Sequence, residues 1–183
     1  MILAILLILI TALWGSGSRG HQQQMLKVCQ KNLGQIYVAL EIFANEHQEA
    51  FPEWPAAQTA EEPLAVLVPR YTADTASFVC PGSKDGPLPA AEPFRHGKIS
   101  YAYFMGRQLT NRQELLATDR QVNTLPKAQG QAVFSTTGKP PGSNHRQYGG
   151  NFLFVDGRCE QAPALAPFAL TWTQNVVLLN PKP

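Results

Sequence analysis

The sequence predicts an α+β fold, a long N-terminal helix packed on a small antiparallel β-sheet head. Three observations carry that expectation. Apolar residues between Met25 and Phe43 recur at helical spacing. Beyond Phe51 the chain is rich in proline and glycine, with short runs of β-formers between them. Near the C-terminal end an Asp-Gly pair, Asp156-Gly157, separates two extended runs, the pattern of a hairpin with a two-residue turn whose central residues both take positive φ.

Composition narrows the class. Of 183 residues, 44% are hydrophobic and 15% charged, so one folded core can form and a disordered charged chain is excluded. A net charge of +2 and the lack of a Lys/Arg run with interleaved aromatics argue against a nucleic-acid partner. No internal repeat is visible. Three segments are expected: 1–20, an apolar membrane or signal segment ending in a break; 21–52, an amphipathic stem helix; and 53–183, a globular head.

The first segment, Met1 to Trp14, carries no charged side chain. Its fourteen residues would span ~21 Å as a helix, against a hydrocarbon core of ~30 Å. It reads as a short membrane or signal segment, and Gly15-Ser-Gly-Ser18 reads as a kink or break.

In the second segment, Met25, Cys29, Leu33, Ile36, Leu40 and Phe43 follow one another in steps of four, four, three, four and three. That rhythm is one helical face, and these six are the expected packing residues of the stem. Tyr37, Val38 and Ile42 widen the apolar surface, so other structure should cover the helix. Gly34 is a weak point, costing roughly 1 kcal/mol against alanine. The helix itself is expected over about Gln22 to His47, with Phe51-Pro52 as the stop beyond it.

In the head, Thr59-Ala-Glu-Glu62 reads as a capping box opening a short helix to Val68. Ser77–Cys80, Ile99–Met105 and Gln131–Ser135 read as strands, and Asn111–Leu116 as a helical turn. Phe152 to Val155 is apolar on both faces, so this strand should be covered by the helix on one side and by loops on the other. Phe168–Trp172 and Val176–Leu179 are candidates for one or two more strands or for an extended tail.

Several of these runs together resemble a known family. Cys29-Gln-Lys-Asn-Leu33-Gly-Gln-Ile36, the Phe51-Pro52 stop, Phe78-Val-Cys80-Pro81 and the final His145, Gly149-Gly150-Asn151 and Asp156-Gly157 occur in that order. The chain resembles prepilin-type, type II secretion pseudopilin-like proteins, especially the planctomycete and verrucomicrobial group with a C-terminal His-x-Asp-Gly motif. The basic leader and Gly-Phe-Thr-Leu-Ile-Glu junction of that family do not precede the apolar run here. The resemblance implies a pilin-like stem anchored once in the inner membrane, with the head in the periplasm or at the cell surface. It also implies a structural, non-enzymatic role. The partners would be other pseudopilin-like subunits or secretion-machinery proteins, with the membrane engaged through the N-terminal segment.

Chemistry-bearing residues are few. His145 and Asp156 suggest either a metal or general-base pair, or a loop histidine bonded to a hairpin turn. The second reading is preferred, since one His and one Asp do not make a site. No catalytic residue, cofactor or metal is assigned. Cys29, Cys80 and Cys159 leave three outcomes open: a bridge from Cys29 to Cys80 stapling stem to head, one from Cys80 to Cys159 joining two strands, or three packed thiols. Two further functions stand behind the structural subunit. One is a secreted or anchored module using Pro81–Lys98 to bind a surface ligand such as polysaccharide; the other is a hydrolase using His145 and Asp156.

Overall fold

A computed structural model describes residues 19–94 and 97–183 of the protein, with the first helix, α1, bounded Ile2–Glu46. The apolar run Met1–Trp14 and the expected break at Gly15–Ser18 lie outside the described residues. Among the described residues no helix is long and apolar enough to cross a membrane.

The periodic stripe of α1 becomes its buried face. Cys29, Leu33 and Leu40 are fully buried, Ile36 is 1% and Phe43 9% exposed, and Met25 at the edge is half-buried. The expectation that the widened apolar surface is covered is corrected for Val38 and Ile42, which with Val28 point away from the head and stay exposed. Ile36→Val should therefore cost about 0.5–1.5 kcal/mol in a urea unfolding curve. Val38→Ala should stay within about 0.5 kcal/mol. Gly34 has no atom within 4 Å of where a Cβ would stand, so no neighbour in this chain requires it.

As expected from a helix ending near His47, α1 does not reach Phe51-Pro52. It ends at Glu46, where Gln48 and Glu49 take left-handed φ of 55° and 67° and Glu49 N–H donates to Ala44 O at 2.9 Å. That six-to-one bond is the Schellman form of helix end, here built without glycine. The capping box is not formed either. Ala60 is the N-cap of α2 (Glu61–Leu64), Thr59 Oγ1 is buried without a partner, and Glu62 accepts from Gln58 N–H at 2.6 Å. Glu61, also buried, accepts from the backbone N–H groups of Ile99 and Lys182 and ties α2 to the C-terminal tail.

Five strands form one antiparallel sheet: β1 (Tyr101–Met105), β2 (Leu115–Asp119), β3 (Gly150–Phe154), β4 (Cys159–Ala162) and β5 (Val177–Leu179), in the spatial order β4-β3-β2-β1-β5. Three sequence expectations need correction. Ser77–Cys80 is no strand; a 3₁₀ turn over Thr75–Phe78 precedes an extended Val79. Asn111–Leu116 is no helical turn; its last two residues open β2, whose five buried residues pair on both sides. Gln131–Ser135 contributes only a single bridge, Ala132 to Leu165. The two last runs give one strand, within the expected range: β5 forms in Val176–Leu179, and Phe168–Trp172 contributes a single bridge, Leu170 to Lys127.

The sheet has two covered faces. Tyr101, Tyr103, Leu116, Ala117, Leu153 and Val155 join the buried face of α1. Ala102, Phe104, Phe152, Phe154 and Leu178 pack beneath the loop residues Val133, Phe134 and Leu170. The expectation for Phe152–Val155 thus holds: alternate residues meet helix and loops. A register shift between Leu115 and Ala117 lets consecutive Leu116 and Ala117 both reach the helix side.

The Asp-Gly turn differs in type from the expected one. Gly157 alone takes positive φ, at 82°; its N–H donates to Phe154 O at 3.0 Å, and Phe154 N–H donates to Arg158 O at 2.9 Å. This is a three-residue loop closed by a glycine bulge rather than a two-residue turn. A Cβ at Gly157 would also stand 2.7 Å from the Tyr37 ring of α1, so helix packing and turn geometry both demand glycine.

Candidate functional site

The helix-facing side of the sheet carries two polar residues near its centre, Asp119 at the end of β2 and Asn151 in β3. Both are completely buried. They meet Cys29 of α1, Cys80 and His145, which are also completely buried.

Local structure explains each placement. Asp74 caps the 3₁₀ turn by accepting from Ala76 N–H at 3.2 Å, and Val79 then extends toward α1. Val79 O accepts from Asn32 Nδ2 at 3.1 Å; Asn32 lies one turn beyond Cys29, which sets Cys80 opposite Cys29. The two sulfurs are bonded, with Cα atoms 5.4 Å apart. Of the three outcomes left open by the sequence, the structure has the stem-to-head bridge. Pro81 and Gly82 then turn the chain, and Ser83 N–H closes on Cys80 O at 2.9 Å.

His145 sits in a turn before β3, where Arg146 N–H donates to Ser143 O. Gly82 lets the imidazole approach, because a Cβ there would lie 2.5 Å from Asn144 O and 2.9 Å from His145 Nδ1. The Nε2 edge of the ring faces Cys80 Sγ at 3.4 Å and Asp119 Oδ2 at 3.4 Å. Nδ1 is buried without a partner.

Asp119 is held on both oxygens. Oδ1 accepts from Asn144 Nδ2 at 2.8 Å, while Oδ2 accepts from Asn151 N–H at 2.8 Å and Asn151 Nδ2 at 2.9 Å. Asn144 Nδ2 also reaches Ser100 O, and Asn151 Nδ2 reaches Leu26 O of α1. One carboxylate therefore joins helix, sheet and the His145 turn. Burial, and then the charge of Asp119, push the Tyr101 hydroxyl well above its ordinary range.

Cys29, Cys80, Asp119 and His145 place one ligating atom each within 4.8 Å of one another. They are the residues here that could hold a metal ion. The preferred reading of the sequence holds for Asp156, a turn residue, and is corrected for His145, which faces a carboxylate the sequence reading did not name and not the hairpin. Asp156 is exposed at the β3–β4 turn, accepting from Arg158 N–H at 3.0 Å, whereas the carboxylate at His145 is Asp119. The missed signal was a charge inside Leu-Leu-Ala-Thr-Asp, a run otherwise fit for a buried strand.

Cys159, the free thiol, is half-buried in β4, and its carbonyl accepts from Gln30 Nε2 of α1. Burial, with the charges of Asp119 and Glu160 adding, pushes the thiol up from 9.0 to about 12. The folded state then keeps a proton that the unfolded chain releases, so this contribution to stability is present below pH 9 and lost as pH rises toward 12. Unfolding curves across that window should show the decline, and Cys159→Ala should flatten it.

Beside the cluster lies a cleft of about 640 Å³, whose lining includes Gly82, Lys84, Asp85, Arg120, Asn144 and Arg146. Arg120 donates to both oxygens of Asp85, at 3.1 and 3.2 Å.

Compared with known proteins, the chain matches no family model, no curated protein and no solved structure.

Proposed function

We propose that the protein is a membrane-anchored, pseudopilin-like structural subunit of a type II secretion or type IV pilus-like assembly, its head outside the cytoplasm. The observation that carries this reading is the unequal use of α1. From Gln22 to Ala44 one face of the helix is buried in the head, while Arg19, Gly20, His21, Gln23 and Gln24 are exposed. In the sequence, the uncharged run Met1–Trp14 stands just ahead of these exposed residues. A tethered rod with a fixed knob is what a stem-and-head subunit needs.

The stripe Cys29–Phe43 is taken up by the head, so contacts between stems would fall to Val28, Val38 and Ile42. A photo-crosslinker at Val38 in cells should yield a species of twice the chain mass in the membrane fraction. A carbonate wash that releases all the protein, together with a head shielded from protease added to spheroplasts, would sink the reading.

The cleft supports a second reading, a surface-ligand module on the same scaffold. Arg120 is paired with Asp85, so Lys84 and Arg146 leave it net positive, suited to an acidic polysaccharide. Calorimetry with such a polymer should then show binding that Lys84→Ala with Arg146→Ala weakens; no heat for the parent chain would exclude it.

A further inference from the structure

We infer that, once the Cys29–Cys80 bond is reduced, the four buried donors hold one zinc ion, which replaces the disulfide as the link between α1 and the head. This goes beyond the assembly reading and is independent of it.

The donor set comes first. Two thiolates, one imidazole and one carboxylate suit zinc, and four protein ligands make a closed structural site. Geometry agrees. With metal–ligand bonds of about 2.0–2.3 Å, the edges of the tetrahedron are roughly 3.3–3.8 Å. His145 Nε2 already stands 3.4 Å from Cys80 Sγ and 3.4 Å from Asp119 Oδ2, and all four donor atoms lie within 4.8 Å. The largest change needed is separation of the two sulfurs after the bond between them breaks. The surroundings are those of a metal site as well. Asn144 and Asn151 hold both oxygens of the carboxylate by hydrogen bonds, the usual support for a ligating carboxylate. His145 presents Nε2 to the other donors and turns Nδ1 toward Gly82. A buried carboxylate bonded by amides gains from a cation far more than an exposed one would.

The chemistry balances with a phosphine reductant. Phosphine and water convert the disulfide to two thiols and become phosphine oxide. Zn²⁺ then displaces the two thiol protons to solvent.

The test is a zinc titration of the full chain, reduced by a phosphine, followed by the same titration of the oxidised chain. Reduced protein should take one Zn²⁺ per chain, and its melting temperature should rise with zinc. Co²⁺ in place of zinc should give the visible absorption of a tetrahedral ion with thiolate ligands. Bound zinc should protect Cys29 and Cys80, but not Cys159, from alkylation in denaturant-free buffer containing the phosphine. His145→Ala should bind at least about ten-fold more weakly, while Cys159→Ala should bind as the parent does. The inference is overturned if the reduced parent chain takes no stoichiometric zinc, if the oxidised chain binds it equally well, or if a folded His145→Ala chain binds unchanged. The parent titration decides the matter even where the variant fails to fold.

Discussion

Replacing Cys29 and Cys80 together by alanine should lower the free energy of unfolding by about 4 kcal/mol. The bridge closes a loop of 51 residues, and the chain-entropy relation gives roughly that figure for a loop of this length. The cross-link joins the middle of α1 to the segment just before the sheet, so the unfolded chain loses many conformations and the native one few. Lost packing of two fully buried side chains adds to the effect. With a urea slope of about 2 kcal/mol per molar, the midpoint should fall by about 2 M. Equal midpoints for the oxidised parent and the double variant would falsify the claim that the bridge holds helix and head together. The reduced parent in metal-free buffer should behave like the double variant, and zinc should restore only the parent. That contrast separates the staple as a covalent link from the staple as a metal site.

The sequence made the helix legible and much of the site illegible, for different physical reasons. Helical spacing is local: Cys29, Leu33, Ile36 and Leu40 advertise one face within fifteen positions, and that face is buried. The two-sided apolar run Phe152–Val155 was likewise readable, because a strand covered on both faces has no polar alternation. β2 was hidden. Leu115, Leu116 and Ala117 are good helix formers, and tertiary pairing with β1 and β3 overrode their propensity. The hairpin at Gly157 was located but its turn was misjudged, since a glycine bulge and a two-residue turn share the same Asp-Gly signature. The cluster depends on partners far apart in the chain. His145 and Asp119 meet only through the register of β2 and β3, and Cys80 meets Cys29 only because Asn32 anchors Val79. Spacing along the chain carries no record of these contacts.

Asp119→Ala should be as damaging as loss of the bridge, costing about 3–5 kcal/mol. The removed carboxylate is the acceptor for Asn144 Nδ2, Asn151 N–H and Asn151 Nδ2, and it faces His145. Two of those donors keep a second carbonyl, Ser100 O and Leu26 O, but the Asn151 backbone N–H is left in a dry interior. An orphaned buried donor costs about 1–3 kcal/mol on its own. Asp119→Asn separates charge from hydrogen bonding. Its amide oxygen can serve one side of the network, but its NH₂ must then meet a donor on the other, so about 1–3 kcal/mol should still be lost. A cycle with His145→Ala measures how far the pair acts as a unit, with coupling of about 0.5–3 kcal/mol expected for side chains in one network. Urea curves read by circular dichroism give all four corners. If Asp119→Ala unfolds within 1 kcal/mol of the parent (about the lower end of a single lost donor), the carboxylate is not what fastens the sheet, the His145 turn and α1 to one another.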